Sequence, residues 1–186
     1  MTVFDNLHIF NKRVVAIDDN LKTYKYKDLL DNSSKINKLT KPRDNVFLIC
    51  ENSFSFLYIY VGLVRNRNII YLIDRSIKRD KFEVLLKLHK PKFILYPIEF
   101  SQKIENYNCD KIDSNYSIVK TNFHLKLNFQ KDISILLSTS GSTGSPKFVQ
   151  LSFLNIKDNT KKISNYLDIK KKDRTVTTME CSYSYG

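Results

Sequence analysis

Cysteine and histidine are scarce in this sequence. Of 186 residues, three are cysteine and three are histidine: Cys50, Cys109, Cys181, His8, His89 and His124. No two cysteines form a Cys-x-x-Cys pair, their number is odd, and the histidines are scattered without ligand spacing. Because a structural metal site or a disulfide framework needs such spacing, we predict neither. Free thiols are typical of a reducing compartment, so we expect a cytoplasmic protein.

Long apolar runs and targeting segments are also missing. The most apolar stretch, residues 54–64, spans 11 residues and is followed by Arg65-Asn66-Arg67-Asn68. A helix that crosses a bilayer needs about 20 apolar residues, so we predict no membrane span. The N-terminus has no basic segment followed by an apolar one, as a secretory signal would have. No internal repeat or low-complexity linker divides the chain, which is long enough for one domain with a real core.

Acidic residues are outnumbered by basic ones, 19 to 31, which gives a formal net charge of +12. Such a charge raises the possibility of a nucleic-acid-binding domain. The basic residues, however, are mostly lysines spread along the chain, and no arginine-aromatic stripe or binding motif accompanies them. The densest runs, 161–162 and 170–172, are typical of solvated faces or loop ends. We therefore predict no nucleic-acid partner, and a steeply salt-dependent affinity for DNA would contradict this.

The spacing of the apolar residues changes along the chain. Residues 14–17 and 23–26 flank Asp18-Asp19-Asn20, which predicts an N-terminal β-hairpin. Beyond it, helical stripes alternate three times with short apolar runs typical of buried strands. The predicted helices are 27–39, 53–65 and 78–90, and the predicted strands are 45–50, 69–73 and 93–96.

This alternation predicts a three-layer α/β fold, with a mostly parallel sheet and helices on both faces. In the less regular segment 101–131 we expect a short helix, an edge strand near Ile118-Val119 and connecting loop. Farther on, Ser152 begins an amphipathic helix that runs through Leu167, and residues 175–179 begin another strand.

Glycine is rare as well, with four in the whole chain, and two of them stand in one short segment. There an apolar run, residues 133–137, leads into Ser138-Thr139-Ser140-Gly141-Ser142-Thr143-Gly144-Ser145-Pro146-Lys147. Glycines let a backbone turn bring its N–H groups close to a guest, and successive N–H groups form an anion-binding concavity. The hydroxyls of Thr139, Ser140, Ser142 and Thr143 add donors, and Lys147 adds a positive charge. The segment therefore predicts a loop that clamps phosphate.

A Walker phosphate loop is the main alternative for this segment, and its spacing does not fit. That motif needs four residues between its first glycine and Gly-Lys-Ser/Thr, whereas Gly141 and Gly144 enclose two. Phe148 also stands where Ser or Thr should follow the lysine. A Walker loop leads into a helix, but Pro146 and the β-favouring pair Phe148-Val149 predict a second strand.

The segment from Thr139 to Lys147 resembles the signature loop of the adenylate-forming superfamily. This superfamily contains acyl- and aryl-CoA synthetases, the adenylation domains of peptide synthetases, and luciferases. Thr23-Tyr24 before a helix, Asn52 before an apolar helix, and Leu72-Ile73-Asp74 at a strand end are similar to other family elements, in the same order. The last residues, Tyr183, Ser184, Tyr185 and Gly186, resemble the stretch that borders the family's acyl pocket, in which His or an aromatic residue often stands at the place of Tyr183.

The resemblance implies an AMP-forming ligase. It would activate a carboxylic acid (acyl, aryl or amino acid) with ATP and Mg²⁺, and pass the acyl group to coenzyme A or to a carrier-protein pantetheine. Thr139, Ser140, Gly141, Ser142, Thr143, Gly144 and Lys147 would bind the nucleotide, with Lys147 as the catalytic cation; Tyr183, Tyr185 and Gly186 would border the substrate pocket.

Family members are two to three times longer than this chain. Residues 1–186 are therefore expected to be the N-terminal portion of a larger domain. We expect this portion to be inactive alone, because the ribose-binding Asp, the magnesium ligand and the C-terminal lysine would lie beyond Gly186. A non-catalytic nucleotide-binding module stays open as the alternative, and the sequence does not identify the acid.

Overall fold

The computed structural model describes residues 2–102, 104, 107–123, 129–138 and 147–183. Within these ranges the chain forms one short 3-10 helix, four α-helices and nine β-strands. The helices are the 3-10 helix Leu7–Phe10, α1 Tyr26–Leu39, α2 Phe54–Arg65, α3 Arg79–His89 and α4 Phe153–Tyr166. The strands are β1 Val14–Ile17, β2 Thr23–Lys25, β3 Asn45–Ile49, β4 Ile69–Ile73, β5 Phe93–Pro97, β6 Cys109–Lys111, β7 Tyr116–Lys120, β8 Ile133–Ser138 and β9 Phe148–Ser152.

The predicted N-terminal hairpin is confirmed. Strands β1 and β2 pair antiparallel as a separate two-stranded sheet. Asp18 shapes the turn between them, because its carboxylate accepts hydrogen bonds from the backbone N–H groups of Asn20 and Lys22 at 3.0 and 2.9 Å. The Tyr24 hydroxyl donates to the same carboxylate at 2.8 Å. A short polar turn with local side-chain acceptors is thus sufficient to set this hairpin.

The main sheet has seven strands in the order β6-β7-β5-β3-β4-β8-β9. Its four central strands, β5, β3, β4 and β8, are parallel, and α2 and α3 form the connections β3 to β4 and β4 to β5. The outer strands β7, β6 and β9 join antiparallel. The predicted α/β class is confirmed, and the sheet as a whole is mixed because its margins are built from hairpins instead of helical crossovers.

Helices cover both faces of the central strands. Every residue of β3 and β4 is buried, as expected for parallel strands with a helix layer on each side. On one face, alternate strand residues such as Leu48 and Leu72 belong to a core cluster with residues of α1 and α2. On the other face, Phe47 and Tyr71 pack with Phe82 and other residues of α3. The three layers predicted from the sequence are therefore present.

Helices α1 and α2 come unusually close to each other at Gly62. A Cβ atom added there would lie 2.7 Å from the backbone oxygen of Ser33 and 2.9 Å from Cβ of Ile36. Both distances are shorter than normal van der Waals contact, so only glycine fits without a shift of the backbone. This contact holds α1 against α2 and completes the outer layer on that face.

Segment 101–131 differs from its prediction. Strand β7, which contains Ile118-Val119, is not at an edge but lies between β5 and β6. The edge strand is β6, whose three residues Cys109, Asp110 and Lys111 are all exposed and carry no apolar pattern that the sequence could reveal. The described residues of this segment contain no helix; residues 103, 105–106 and 124–128 lie outside the described part.

After β9 the chain follows one prediction and departs from another. The helix predicted from Ser152 is α4: Ser152 Oγ accepts from the Asn155 N–H at 3.0 Å, and Asn155 Oδ1 accepts from the Ser152 N–H at 3.0 Å. The strand predicted from residue 175 is wrong, because residues 175–179 pair with no described strand. Val176 is 86% exposed. Strand propensity alone does not make a strand where no neighbouring strand offers hydrogen bonds.

Candidate functional site

The predicted phosphate loop connects two paired strands. Ser138 ends β8, Phe148 begins β9, and these two residues are paired with each other. The prediction that a strand, and not a helix, follows Lys147 is therefore confirmed, which sets this segment apart from a Walker loop. Lys147 itself is exposed directly before β9. The other predicted loop residues, Thr139, Ser140, Gly141, Ser142, Thr143 and Gly144, lie outside the described part of the chain.

Strand β8 ends at the edge of the sheet where ligands usually bind in α/β proteins. Strand β8 is parallel to β4, β3 and β5, so these four strands end at the same edge. In open α/β sheets, ligands bind in the crevice outside the carboxyl ends of the strands. Charged groups gather there: Glu51 follows β3, Arg75 follows β4, and they form an ion pair at 2.7 Å.

Asn52 binds residues 179–181 at the same edge of the sheet. Its side-chain nitrogen donates to the backbone oxygen of Met179 at 2.8 Å. Its side-chain oxygen accepts from the N–H of Cys181 at 3.2 Å and from the thiol of Cys181 at 3.0 Å. These contacts, which we call the Asn52 latch, place Tyr183 beside the carboxyl ends of the strands. In the sequence, Asn52 stands out through its resemblance to a family element that precedes an apolar helix. Its partners here, Met179 and Cys181, lie more than 120 residues away and have no such signal.

A cleft of about 780 Å³ lies between α2, the sheet and α4. Its floor is apolar and consists of side chains from β4, β8 and β9, and Tyr60 of α2 forms part of one wall. The opposite wall, from α4, is mixed, with Asn155, Thr160 and Ile163; Cys181 and Tyr183 lie at the rim. The floor residues are Leu72, Ile135, Leu137 and Leu151. An apolar cavity with a few polar groups is what a small organic ligand requires.

Of the three predicted pocket residues, the structure describes one. Tyr183 lines the cleft and is 55% exposed. Tyr185 and Gly186 lie outside the described residues. The structure adds a set of lining residues on α2 and α4 that the sequence did not mark, because an apolar residue that faces a cleft has the same period as one that faces the core.

Two cysteine thiols, Cys50 and Cys181, have pKa values above their ordinary range. Burial raises the pKa of Cys50 well above its ordinary value, and the nearby Cys181 thiol adds to this shift. Burial also raises the pKa of Cys181, with a further contribution from Glu180. Because the thiolate is the nucleophilic form of cysteine, neither side chain is prepared for attack on a substrate near neutral pH.

Two general features of the described residues bear on cofactors and membranes. No group of three or more His, Cys, Asp or Glu side chains in them is placed to hold a metal ion. None of their helices is both long enough and apolar enough to cross a bilayer.

The sheet defines an α/β protein whose four parallel central strands end at one edge. Comparison with known proteins makes this specific: the family model described as "AMP-binding enzyme" matches residues 8–186. The chain belongs to the AMP-binding enzyme family.

Curated relatives of this chain are ligases that are much longer than it. An oxalate–CoA ligase of Arabidopsis thaliana is 24% identical over 165 residues, which covers 78% of this chain and 32% of that protein. A D-alanine–D-alanyl carrier protein ligase of Staphylococcus epidermidis is 24% identical over 138 residues, which covers 72% of this chain and 28% of that protein. The chain thus spans about a third of the length of these relatives.

Solved structures of similar fold cover nearly the whole chain. Apo MatB from Rhodopseudomonas palustris matches with a TM-score of 0.76 at 14% identity, over 100% of this chain and 42% of that one. The o-succinylbenzoate CoA synthetase of Bacillus subtilis, in complex with its acyl-adenylate intermediate, matches with a TM-score of 0.73 at 15% identity, over 98% and 50%. The fold is that of the N-terminal part of adenylate-forming enzymes.

Proposed function

We propose that this chain is the nucleotide-binding portion of an AMP-forming ligase, which activates a carboxylic acid with ATP and transfers the acyl group to a thiol. The observation that supports the proposal is the Ser138–Phe148 strand pair, because these two residues flank the proposed phosphate loop and lie at the carboxyl edge of the parallel strands. The 780 Å³ cleft is lined in part by Cys181 and Tyr183 and has space for an organic acid.

In the proposed reaction, the loop binds the β- and γ-phosphates of ATP. Backbone N–H groups around Gly141 and Gly144 donate to phosphate oxygens, and the hydroxyls of Thr139, Ser140, Ser142 and Thr143 add further hydrogen bonds. Charge-assisted hydrogen bonds contribute about 1.5–3 kcal/mol each, so a few of them support binding in the micromolar to millimolar range after the costs of association.

Lys147 is proposed to serve the chemical step. A carboxylate oxygen of the acid attacks the α-phosphorus, a new O–P bond forms, and the bond to the bridging oxygen breaks with its electron pair on pyrophosphate. Negative charge therefore grows on the leaving group, and the Lys147 ammonium stabilises it there. In a second step the thiol of coenzyme A or of a carrier-protein pantetheine attacks the acyl carbonyl, and AMP leaves.

The cleft is proposed to hold the body of the acid. Leu72, Ile135 and Leu137 offer an apolar floor, and Tyr183 lies at the rim. Tyr185 and Gly186, which lie outside the described residues, are proposed to border the pocket as well. The curated relatives are named for oxalate and D-alanine, two small acids of different polarity. The acid of this protein is therefore not assigned. Mg²⁺ is expected with ATP; since no group of three or more His, Cys, Asp or Glu among the described residues is placed to hold a metal ion, no step is assigned to it.

Titration of the 186-residue chain with ATP, pyrophosphate and AMP, followed by NMR, tests this function. We expect ATP and pyrophosphate to shift the backbone signals of Ser138, Lys147 and Phe148, with dissociation constants between micromolar and millimolar. AMP, which lacks the β- and γ-phosphates, should shift them much less. Equal shifts with all three, or none with any, would contradict a phosphate-binding loop. Short-chain acids that shift Tyr183 and Cys181 would identify the substrate cleft.

A further inference from the structure

Two buried polar atoms on the α3 side of the sheet have no hydrogen-bond partner in the described part of the chain. They are the hydroxyl of Tyr71, in the middle of β4, and Nε2 of His89, the last residue of α3. Tyr71 is fully buried, and the centroids of the two rings are 4.8 Å apart. A buried polar atom left without a partner is costly, and two of them side by side require an explanation.

In the described part of the chain, the aromatic rings packed against this pair are those of phenylalanines. Phe148 is nearly perpendicular to both rings, with centroid distances of 5.2 Å to Tyr71 and 5.0 Å to His89. Phe47 is 5.1 Å from Tyr71, and Phe129 is 6.4 Å from it. A phenyl ring has no lone pair and no N–H or O–H group, so these neighbours pack against Tyr71 and His89 without supplying a conventional hydrogen bond.

The charge state of His89 limits what its partner can be. Burial lowers the pKa of this imidazole, and no carboxylate contributes to the shift. The neutral ring has one nitrogen that donates and one that accepts. The Tyr71 hydroxyl can also do either. The pair therefore matches a small neutral molecule that donates and accepts, and it does not match an ion.

We propose that Tyr71 and His89 bind one ordered water molecule that bridges the tyrosine hydroxyl and Nε2 of the histidine. A water that holds two or more hydrogen bonds to buried polar groups is a regular part of protein interiors. The bridge joins three elements: β4 through Tyr71, α3 through His89, and β9 through the Phe148 ring that covers both. Since Phe148 directly follows Lys147, the water stabilises the first residue of the strand that leaves the proposed phosphate loop. The water site itself does not depend on the proposed function.

Removal of the hydroxyl distinguishes a bridged pair from an unsatisfied one. In Tyr71→Phe, we expect the unfolding equilibrium constant to rise about fivefold, as for the loss of one net hydrogen bond. Tyr116→Phe is the matched control, because Tyr116 is equally buried and its hydroxyl donates to the Ile49 carbonyl at 2.7 Å. An unchanged or lower unfolding constant in Tyr71→Phe, with the expected rise in Tyr116→Phe, would overturn the proposal, since loss of an unsatisfied hydroxyl stabilises a fold.

NMR of the unaltered chain supplies a second measurement that needs no variant. A buried tyrosine hydroxyl proton exchanges slowly enough to be observed, and we expect its cross-peak to a bound water. The ¹⁵N shifts of His89 should show a neutral ring with a hydrogen bond at Nε2. A cross-peak from the hydroxyl to the His89 ring without one to water would mean a direct hydrogen bond and would overturn the bridge. A hydroxyl proton with neither contact would overturn it as well.

Discussion

Lys147 is the residue on which the proposed chemistry depends most directly. It is exposed at the start of β9, at the carboxyl edge of the sheet. If its ammonium binds the terminal phosphates, Lys147→Ala should weaken pyrophosphate binding by the 186-residue chain about tenfold, the loss expected for one charge-assisted hydrogen bond. Isothermal titration with pyrophosphate measures this. Ser142→Ala should matter less, because neighbouring donors and water replace a single hydroxyl.

Two comparisons separate a local role of Lys147 from a general effect of charge. Lys172→Ala removes an exposed lysine far along the chain and should leave pyrophosphate affinity unchanged. The melting temperature of Lys147→Ala should stay close to that of the parent chain. If both lysine variants lose affinity alike, the effect belongs to the net charge of +12 and not to the loop.

Asp113 is a residue whose role is structural, and its ionisation should be visible in the stability of the fold. Its carboxylate accepts from the hydroxyls of Ser55 and Tyr58 at 2.6 and 2.7 Å, and from the N–H groups of Asn115 and Tyr116 at 2.7 Å each. Burial alone would raise the pKa of Asp113, but these four hydrogen bonds outweigh it and lower the pKa. The ionised carboxylate thereby joins the turn after β6 to the first turn of α2.

The sign of the pH dependence follows from this lowered pKa. The stabilisation is fully present above pH 3.8, the ordinary value for the side chain, and is lost as the pH falls through the lower folded-state value. Asp113→Asn should remove this acid-dependent part and reduce the free energy of unfolding near neutral pH by about 2 kcal/mol, because two hydroxyl donors lose their acceptor. Urea unfolding between pH 2.5 and 7 measures both effects. Asp31→Asn, on the exposed side of α1, should change neither.

Among the elements, the contact between α1 and α2 gives the clearest mutational test. Alanine usually stabilises a helix relative to glycine by about 1 kcal/mol. At Gly62 we expect the opposite sign, a loss of about 1–3 kcal/mol, since the new Cβ would lie 2.7 Å from the Ser33 carbonyl oxygen. Ser34→Ala, on the exposed face of α1, is the control and should be neutral or slightly stabilising. Thermal unfolding of both variants decides the case, and a more stable Gly62→Ala would mean that the two helices separate easily.

The elements that the sequence predicted well are those with strong apolar periodicity. Strand β4 was predicted with its observed ends, and α2 and α3 to within one residue at each end, because their flanking residues Ser53, Lys78 and Lys90 are the caps. Strand β6 has no apolar residue pattern, so only its pairing with β7 reveals it. Residues 175–179 show the converse, because they have strand propensity but pair with no described strand.

Only the part of the candidate site that consists of consecutive residues could be predicted from the sequence. The residues expected to bind phosphate are consecutive in the sequence, so their pattern can be recognised there. Pro146 and Phe148 likewise predict that a second strand follows them. The cleft and the Asn52 latch depend on contacts between Asn52 and residues 179–181, which no short-range pattern encodes. Register and long-range packing decide such contacts, and they emerge only with the folded sheet.

For the whole molecule, the decisive prediction concerns catalysis. The chain covers 28–32% of the length of its curated relatives, and its cleft opens directly to solvent at Tyr183. We therefore expect that the 186-residue chain binds pyrophosphate but shows no exchange of labelled pyrophosphate into ATP that depends on a carboxylic acid. The physical reason is that a phosphate clamp positions only one end of the nucleotide, whereas in-line attack needs the ribose and the acid to be held as well.

The exchange assay should be run with a panel of short acids, among them oxalate and D-alanine, and with a known AMP-forming ligase as positive control. Exchange by this chain above the level of its Gly144→Val variant would show that the site is complete within 186 residues, against our expectation. Binding without exchange supports a nucleotide-binding portion. If the chain neither bound pyrophosphate nor exchanged it into ATP, this result would contradict the proposed function itself.

The place of β4 in the sheet has a consequence for how the chain folds. Its partner on one side, β3, precedes it, but its partner on the other side, β8, follows only after α3 and β5–β7 have been made. Until then the sequence Ile-Ile-Tyr-Leu-Ile presents an unpaired strand edge without a single charge. Such segments are prone to join like segments of other molecules, and closing a distant strand pair is slow. During synthesis, the arrival of β8 is thus the event that ends the period in which this chain is most liable to aggregate.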